Sequence, residues 1–230
     1  MRRLATFLLI LGLGAVSCAK RPVVLADAAF DGKSVRQDPA ALILPEKAEV
    51  KDVVQDLVAS FQGDPETGVQ FLRESLANVL TGQEECLGWG DFSRAGTKLF
   101  NFHGVQNPAL RDSLLSCLQM TIDDYGVTRA STTNPQALAG LLAANGCRHL
   151  VVIDQLALGR AVSDKGNALM GSVVLGELTL SAQVLVWSAQ SQTWVYQGYV
   201  NGSRAGRKAD RAAIKDLVCF LGHDLYRALR

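Results

Sequence analysis

From residue 50 the apolar positions fall at helical spacing. Val50, Val53, Val54, Leu57, Val58 and Phe61 lie at i, i+3, i+4, i+7, i+8 and i+11, and Gly63 ends the run. Asp64 then offers an N-cap and Pro65 a first helical residue whose missing N–H costs nothing. Val69, Leu72, Leu76, Val79 and Leu80 carry that second helix to Gly82, so residues 47–82 form a predicted helical hairpin. The cap-and-proline start recurs twice. Asn107-Pro108 opens a face of Leu110, Leu114, Cys117, Leu118, Ile122 and Tyr125 that ends at Gly126. Asn134-Pro135 opens a shorter helix through Leu138, Leu141 and Leu142, with Gly146 placed for a left-handed cap.

After Gly146 the period changes to two. Residues 149–158 are apolar on both faces, as a strand covered above and below must be. Residues 164–167 (Asp-Lys-Gly-Asn) are a turn. Leu178, Leu180, Ala182, Val184 and Val186 alternate with Glu177, Thr179, Ser181 and Gln183. Residues 189–192 make a four-residue hairpin loop, and 193–201 return as a strand. Residues 98–103 (KLFNFH) suit a further strand, and Ile214, Leu217, Val218, Leu221, Leu225 and Leu229 form the stripe of a closing helix. The expected class is α+β: residues 98–230 as a mixed sheet ending in an antiparallel meander, packed by amphipathic helices, with 47–82 as an extra N-terminal hairpin.

The front of the chain follows a different logic. Arg2 and Arg3 precede an apolar stretch, Leu4 to Val16, that is too short for a permanent membrane span but suits an export signal over residues 1–17. Ordinary cleavage after small residues would leave Cys18 as an incidental first residue. Ala15-Val16-Ser17-Cys18 also resembles the lipobox of bacterial lipoproteins, although Ala15 stands where that pattern prefers Leu. The resemblance implies lipid attachment at Cys18. With Ala19 rather than Asp in the next place, it implies sorting to the periplasmic face of the outer membrane. Residues 18–46, with the short apolar run Val23-Val24-Leu25, are expected to form a lipid-anchored tether leading into a first strand or an ordered arm.

The element order from residue 98 onward is similar to a group of bacterial envelope domains. They are the curli-secretion channel lipoproteins, the outer-membrane lipoprotein activators of penicillin-binding proteins, and the amino-terminal domain of the Tol-system propeller protein. The resemblance rests on Leu138 to Gly146, Cys147 to Ile153, the hairpin 177–201 with Trp187 and Trp194, and the helix 209–229. It implies a non-enzymatic protein that binds other envelope proteins or, alternatively, a subunit of an oligomeric secretion or assembly channel. An envelope hydrolase is the third option.

Charge and cysteines narrow the choice. The formal net charge is +1, from 23 Lys and Arg against 22 Asp and Glu; without residues 1–17 it becomes −1, because Arg2 and Arg3 go and no acid does. Such an unclustered balance gives no basic face for nucleic acid. Beside Cys18 there are four cysteines, Cys86, Cys117, Cys147 and Cys219. Export permits two disulfides in any of three connectivities, whereas burial as small hydrophobes needs none. Cys117, on its apolar stripe, fits the second reading.

Candidate chemistry is sparse, and no cofactor or metal is expected. Gly32-Lys33-Ser34 imitates the end of a phosphate-binding loop, but Asp27 occupies the place of its first glycine and Pro39 precludes a following helix. His103, His149 and His223 are widely separated in sequence. Asp154 is a carboxylate in an apolar strand; if buried, it requires a hydrogen-bonding partner, in a structural or a catalytic role. The hairpin loop pairs Trp187 with Trp194 and Leu185 with Tyr196, which puts Trp187, Trp194 and Tyr196 on one face. Covered, these aromatics are core; exposed, they are a partner-binding anchor. The partners expected are the membrane through the lipid, another envelope protein, and a second copy in a homo-oligomer.

Overall fold

The apolar run at 40–43 and the doubly apolar run from 149 become neighbouring strands in the interior of one mixed sheet. Only a strand covered on both faces buries every side chain. The structure, a computed structural model, describes residues 25–27, 30–86, 99–124, 127–164, 174–206 and 208–230. The first half contains β1 (Leu25–Ala26), α1 (Gly32–Gln37), β2 (Ala40–Ile43), β3 (Glu49–Val50), α2 (Val54–Ser60), α3 (Pro65–Leu80) and β4 (Phe102–Gly104). Then come α4 (Pro108–Ser116), β5 (Leu118–Ile122), β6 (Thr128–Thr132), α5 (Pro135–Ala144), β7 (His149–Asp164), β8 (Val174–Ser188), β9 (Thr193–Ala205) and α6 (Arg211–Ala228). The fold is α+β, as the periodicities predict.

Strand order in the large sheet is β1-β9-β8-β7-β2-β4, with β3 also on β7. The meander β7–β8–β9 is antiparallel, whereas β2 runs parallel to both β7 and β4. Alternation sorts the side chains into two cores. Leu42, Val151, Ile153, Leu180, Val184 and Val186 meet α2, α3 and α6 on one face. Ala41, Ile43, Leu150, Val152, Leu185 and Trp187 meet Leu114 of α4 and Leu138 and Leu142 of α5 on the other. Gly202 of β9 lets α6 approach closely, since a Cβ there would lie 2.5 Å from the Leu217 carbonyl oxygen.

Local signals placed most helix ends correctly. Asp64, Asn107 and Asn134 cap α3, α4 and α5 by accepting backbone N–H groups, each followed by proline. Gly63, Gly82 and Gly146 all have positive φ, the conformation a helix terminus asks of glycine. A disulfide joins Cys86, after α3, to Cys219 in α6, while Cys117 and Cys147 are free and buried.

Five expectations need correction. First, Pro39 does not preclude a helix after Gly-Lys-Ser: α1 forms, capped by Asp31, and ends before Pro39. Second, residues 30–43 are not tether. Strand β1 pairs β9 at one edge of the sheet, β2 is fully buried between β7 and β4, and α1 is tied to the end of α6 by Arg36 Nε donating to the Leu229 carbonyl at 3.0 Å. Third, the helical hairpin expected over residues 47–82 does form, as α2 and α3, but its Val53, Leu57, Leu72 and Leu76 lie in the same core as the sheet rather than in a unit of their own. The first helix of that hairpin also starts later than its period suggests, at Val54, with Glu49–Val50 pairing β7 instead.

Fourth, the helix from Pro108 stops at Ser116, and the chain turns into the antiparallel hairpin β5–β6. Leu118 and Ile122 fit a helical stripe and a strand alternation through Met120 equally well, so the period alone was ambiguous. Fifth, a bulge in β9 shifts the register beyond Trp187–Trp194, so Tyr196 pairs with Val186 and Leu185 with Gln197. The four-residue loop itself is as expected. Of the sequence-predicted elements, Lys98, Tyr125, Gly126 and the turn residues 165–167 lie outside the described residues, as do residues 1–24 with Cys18.

Candidate functional site

The three aromatic residues separate. Trp187 is 0% exposed and packs with α4 and α5, whereas the bulge sends Tyr196 to the opposite face, 3% exposed and stacked on Phe30 at 5.2 Å. Burial pushes the Tyr196 hydroxyl up to about 12, and the Asp224 carboxylate adds to the shift. Trp194 is half-buried beside Trp187. Trp187 and Tyr196 are core residues on opposite faces and Trp194 is partly buried against the first of these cores, so the three do not form a joint anchor.

Asp154 belongs to a polar cluster built around one residue of β6. The Thr128 hydroxyl donates to Asp154 Oδ2 at 2.6 Å and accepts from Gln155 Nε2 at 3.0 Å. Gln183, fully buried, grips the Thr128 backbone at both ends: its Oε1 accepts the N–H at 3.0 Å and its Nε2 donates to the carbonyl at 2.7 Å. Gln197 Nε2 donates to that same carbonyl, and Tyr199 donates to Gln155 Oε1 at 2.7 Å. Burial raises the Tyr199 pKa, with Asp154 and Asp123 adding to it. Two glutamine amides thus stand in for a neighbouring strand and clamp β6 onto the sheet. Asp154 is a member of this clamp.

The clamp has a consequence at the surface. Because β6 faces the glutamines, β5 overhangs, and its side chains emerge. Among the described residues the exposed large hydrophobics are Val54 at 42%, Met120 at 41% and Ile122 at 71%. Sequence reasoning missed Met120 and Ile122, having assigned Ile122 to a helix face. Val54 lines a cleft of ≈ 880 Å³ between the β2–β3 connection and α3, together with Leu44, Val50, Pro65, Val69, Arg73 and Glu46.

A serine, an aspartate and a histidine also meet at the start of β7. Ser34 donates to Asp38 Oδ2 at 2.8 Å and lies 3.3 Å from His149 Nε2, which is 3.8 Å from Asp38. A hydrolytic relay places hydroxyl and carboxylate on opposite ring nitrogens. Here both face Nε2, and Nδ1 is buried with no partner among the described residues. The serine proton is directed at Asp38, whose pKa is lowered chiefly by that bond, while burial lowers that of His149. This geometry ties α1 to β7 and does not activate a nucleophile. Among the described residues no group of acidic, histidine and cysteine side chains is placed to hold a metal.

No protein-family model matches the chain, and no curated protein sequence does. It is similar to two structures of a PelC dodecamer from Paraburkholderia phytofirmans. Both are 10% identical over 89% of this chain, covering 97% and 96% of the PelC chain, with TM-scores of 0.34 and 0.32. It is also similar to the hypothetical protein CT253 from Chlamydia trachomatis, at 9% identity over 84% of this chain and 92% of that one, with a TM-score of 0.41. Likeness at this level carries no functional argument.

Proposed function

We propose that the chain is a lipid-anchored protein of the periplasmic face of the outer membrane, acting without catalysis by binding other envelope proteins. The observation that carries this reading is the sequence Ala15-Val16-Ser17-Cys18 behind two arginines and a short apolar run. The Cys86–Cys219 bridge supports it, because structural disulfides persist in oxidising compartments such as the periplasm. No helix among the described residues is long and apolar enough to cross a membrane, so attachment would rest on the lipid. A lipid on Cys18 confines the folded body to the membrane surface and raises its effective concentration near partners there. Two or more acyl chains make such an anchor stable.

The test has two arms. Cys18→Ala is expected to release the protein from the membrane fraction, and intact mass of the wild type is expected to include acyl chains. Membrane retention of the variant, together with an unacylated wild type, would refute the anchor. A photo-crosslinking residue at Val54, on the cleft, is expected to capture a reproducible heterologous envelope protein in living cells. Crosslinks only to this chain, or none, would count against the binding reading.

A further inference from the structure

The open edge of β5 carries an inference independent of the anchor. Strand β5 pairs only with β6 among the described residues. Since the N–H and carbonyl of Thr128 point away from β5 toward Gln183, the Ile122–Thr128 pair is of the non-hydrogen-bonded kind. Alternation makes Met120–Ala130 and Leu118–Thr132 the same kind. The backbone groups of Leu118, Met120 and Ile122 therefore point outward, along a free edge. Natural edges are guarded by charge, proline or a bulge. The sequence Leu-Gln-Met-Thr-Ile has neither charge nor proline, and its pairing with β6 is unbroken.

We propose that β5 pairs edge to edge with β5 of a second copy, antiparallel, across a two-fold axis at Met120. The pattern is complementary to itself in that register. Leu118 faces Ile122 of the second copy, Gln119 faces Thr121, and Met120 faces Met120, so apolar meets apolar and polar meets polar. Without a charge on the strand, no like charges face each other within the pairing. The most exposed side chain, Ile122, gains an apolar neighbour. Few side chains are covered, well short of the roughly 1,600 Å² of a standard interface. The dimer is accordingly weak and concentration-dependent in solution, and it strengthens where copies are confined together.

The register itself is testable on the full chain purified in detergent. Across a hydrogen-bonded pair the two Met120 Cα atoms lie about 5.5 Å apart, within disulfide reach. The two Ile122 Cα atoms are offset by four residues, about 14 Å. Under mild oxidation Met120→Cys is expected to form a disulfide-linked dimer at least about tenfold faster than Ile122→Cys. Random collision predicts the reverse, because Ile122 is the more exposed. Equal or faster linkage at Ile122→Cys would overturn the proposal. In sedimentation velocity the wild type is expected to dimerise with concentration and Met120→Lys to stay monomeric with unchanged circular dichroism; identical behaviour of the two would also overturn it. Neither readout needs the lipid, so both can be repeated in a Cys18→Ala background to separate this failure from failure of the anchor.

Discussion

Replacing Gln183 by methionine tests whether the amide clamp holds β6 on the sheet. Methionine keeps the length and most of the volume of a side chain that is 0% exposed, so packing changes little. Two hydrogen bonds to Thr128 disappear, at about 1 kcal/mol each. The Thr128 carbonyl keeps its bond from Gln197, but the N–H of a residue 2% exposed is left without an acceptor, at about 1–3 kcal/mol. Burying an apolar group instead of an amide returns part of this, so the expected loss is about 2–4 kcal/mol. Urea unfolding of wild type and variant should show a lower midpoint at unchanged slope. Hydrogen exchange should show lost protection over Thr128–Thr132 with β7 and β8 amides still protected, since only the hairpin is released. A destabilisation below about 0.5 kcal/mol, with the Thr128 amide still protected, would refute the clamp.

Two further outcomes follow from the core. The Cys86–Cys219 bridge closes a separation of 133 residues, which the chain-entropy model values at about 5 kcal/mol, so Cys86→Ala/Cys219→Ala should lower the thermal midpoint by about 10–20 °C; a midpoint unchanged in the variant would contradict the bridge. Burial lowers the His149 pKa below 6.5 despite the nearby Asp38 carboxylate, so as pH falls below about 6.5 the unfolded chain takes up the proton first and stability is lost. Asp38, lowered from 3.8, adds its own loss only in more acid solution. Urea midpoints between about pH 7.5 and 5 should fall in the wild type and stay flatter in His149→Gln; parallel curves would contradict the assignment.

Most of the framework was legible because it rests on local chemistry. Caps at Asp64, Asn107 and Asn134 and the doubly apolar strand from His149 each announce an element within a few residues. The failures are of two physical kinds. At β9 one extra residue flips Tyr196 to the opposite face, and nothing local marks a bulge whose partner lies on another strand. At β2 a four-residue apolar run is too short to distinguish a tether's end from the middle of a sheet; parallel pairing with β7, more than a hundred residues later, decides it. The clamp was half visible. Asp154 stood out as a carboxylate needing a partner, but Gln183 reads as one residue of an alternating polar face and Thr128 has no mark of its own.

The sheet's polar centre also explains why the chain abandons a helix at Cys117. Toward the Trp187 end, the second face offers Leu150, Val152 and Leu185, which the apolar stripes of α4 and α5 can cover. Further along it offers Asp154, Gln183 and Gln197, and a helix laid there would bury those groups against apolar side chains, since its own backbone bonds are already used. A strand edge carries outward N–H and carbonyl groups at every second residue, which is what two amides need. Strand β6 supplies them through Thr128, and β5 is the partner that completes β6 on its other side. The apolar spacing from 110 to 125 permits a helix; the amides at 183 and 197 require an edge. Satisfying one edge of a two-stranded hairpin leaves the other edge open, so the same polar centre that fixes β6 also creates the free edge of β5.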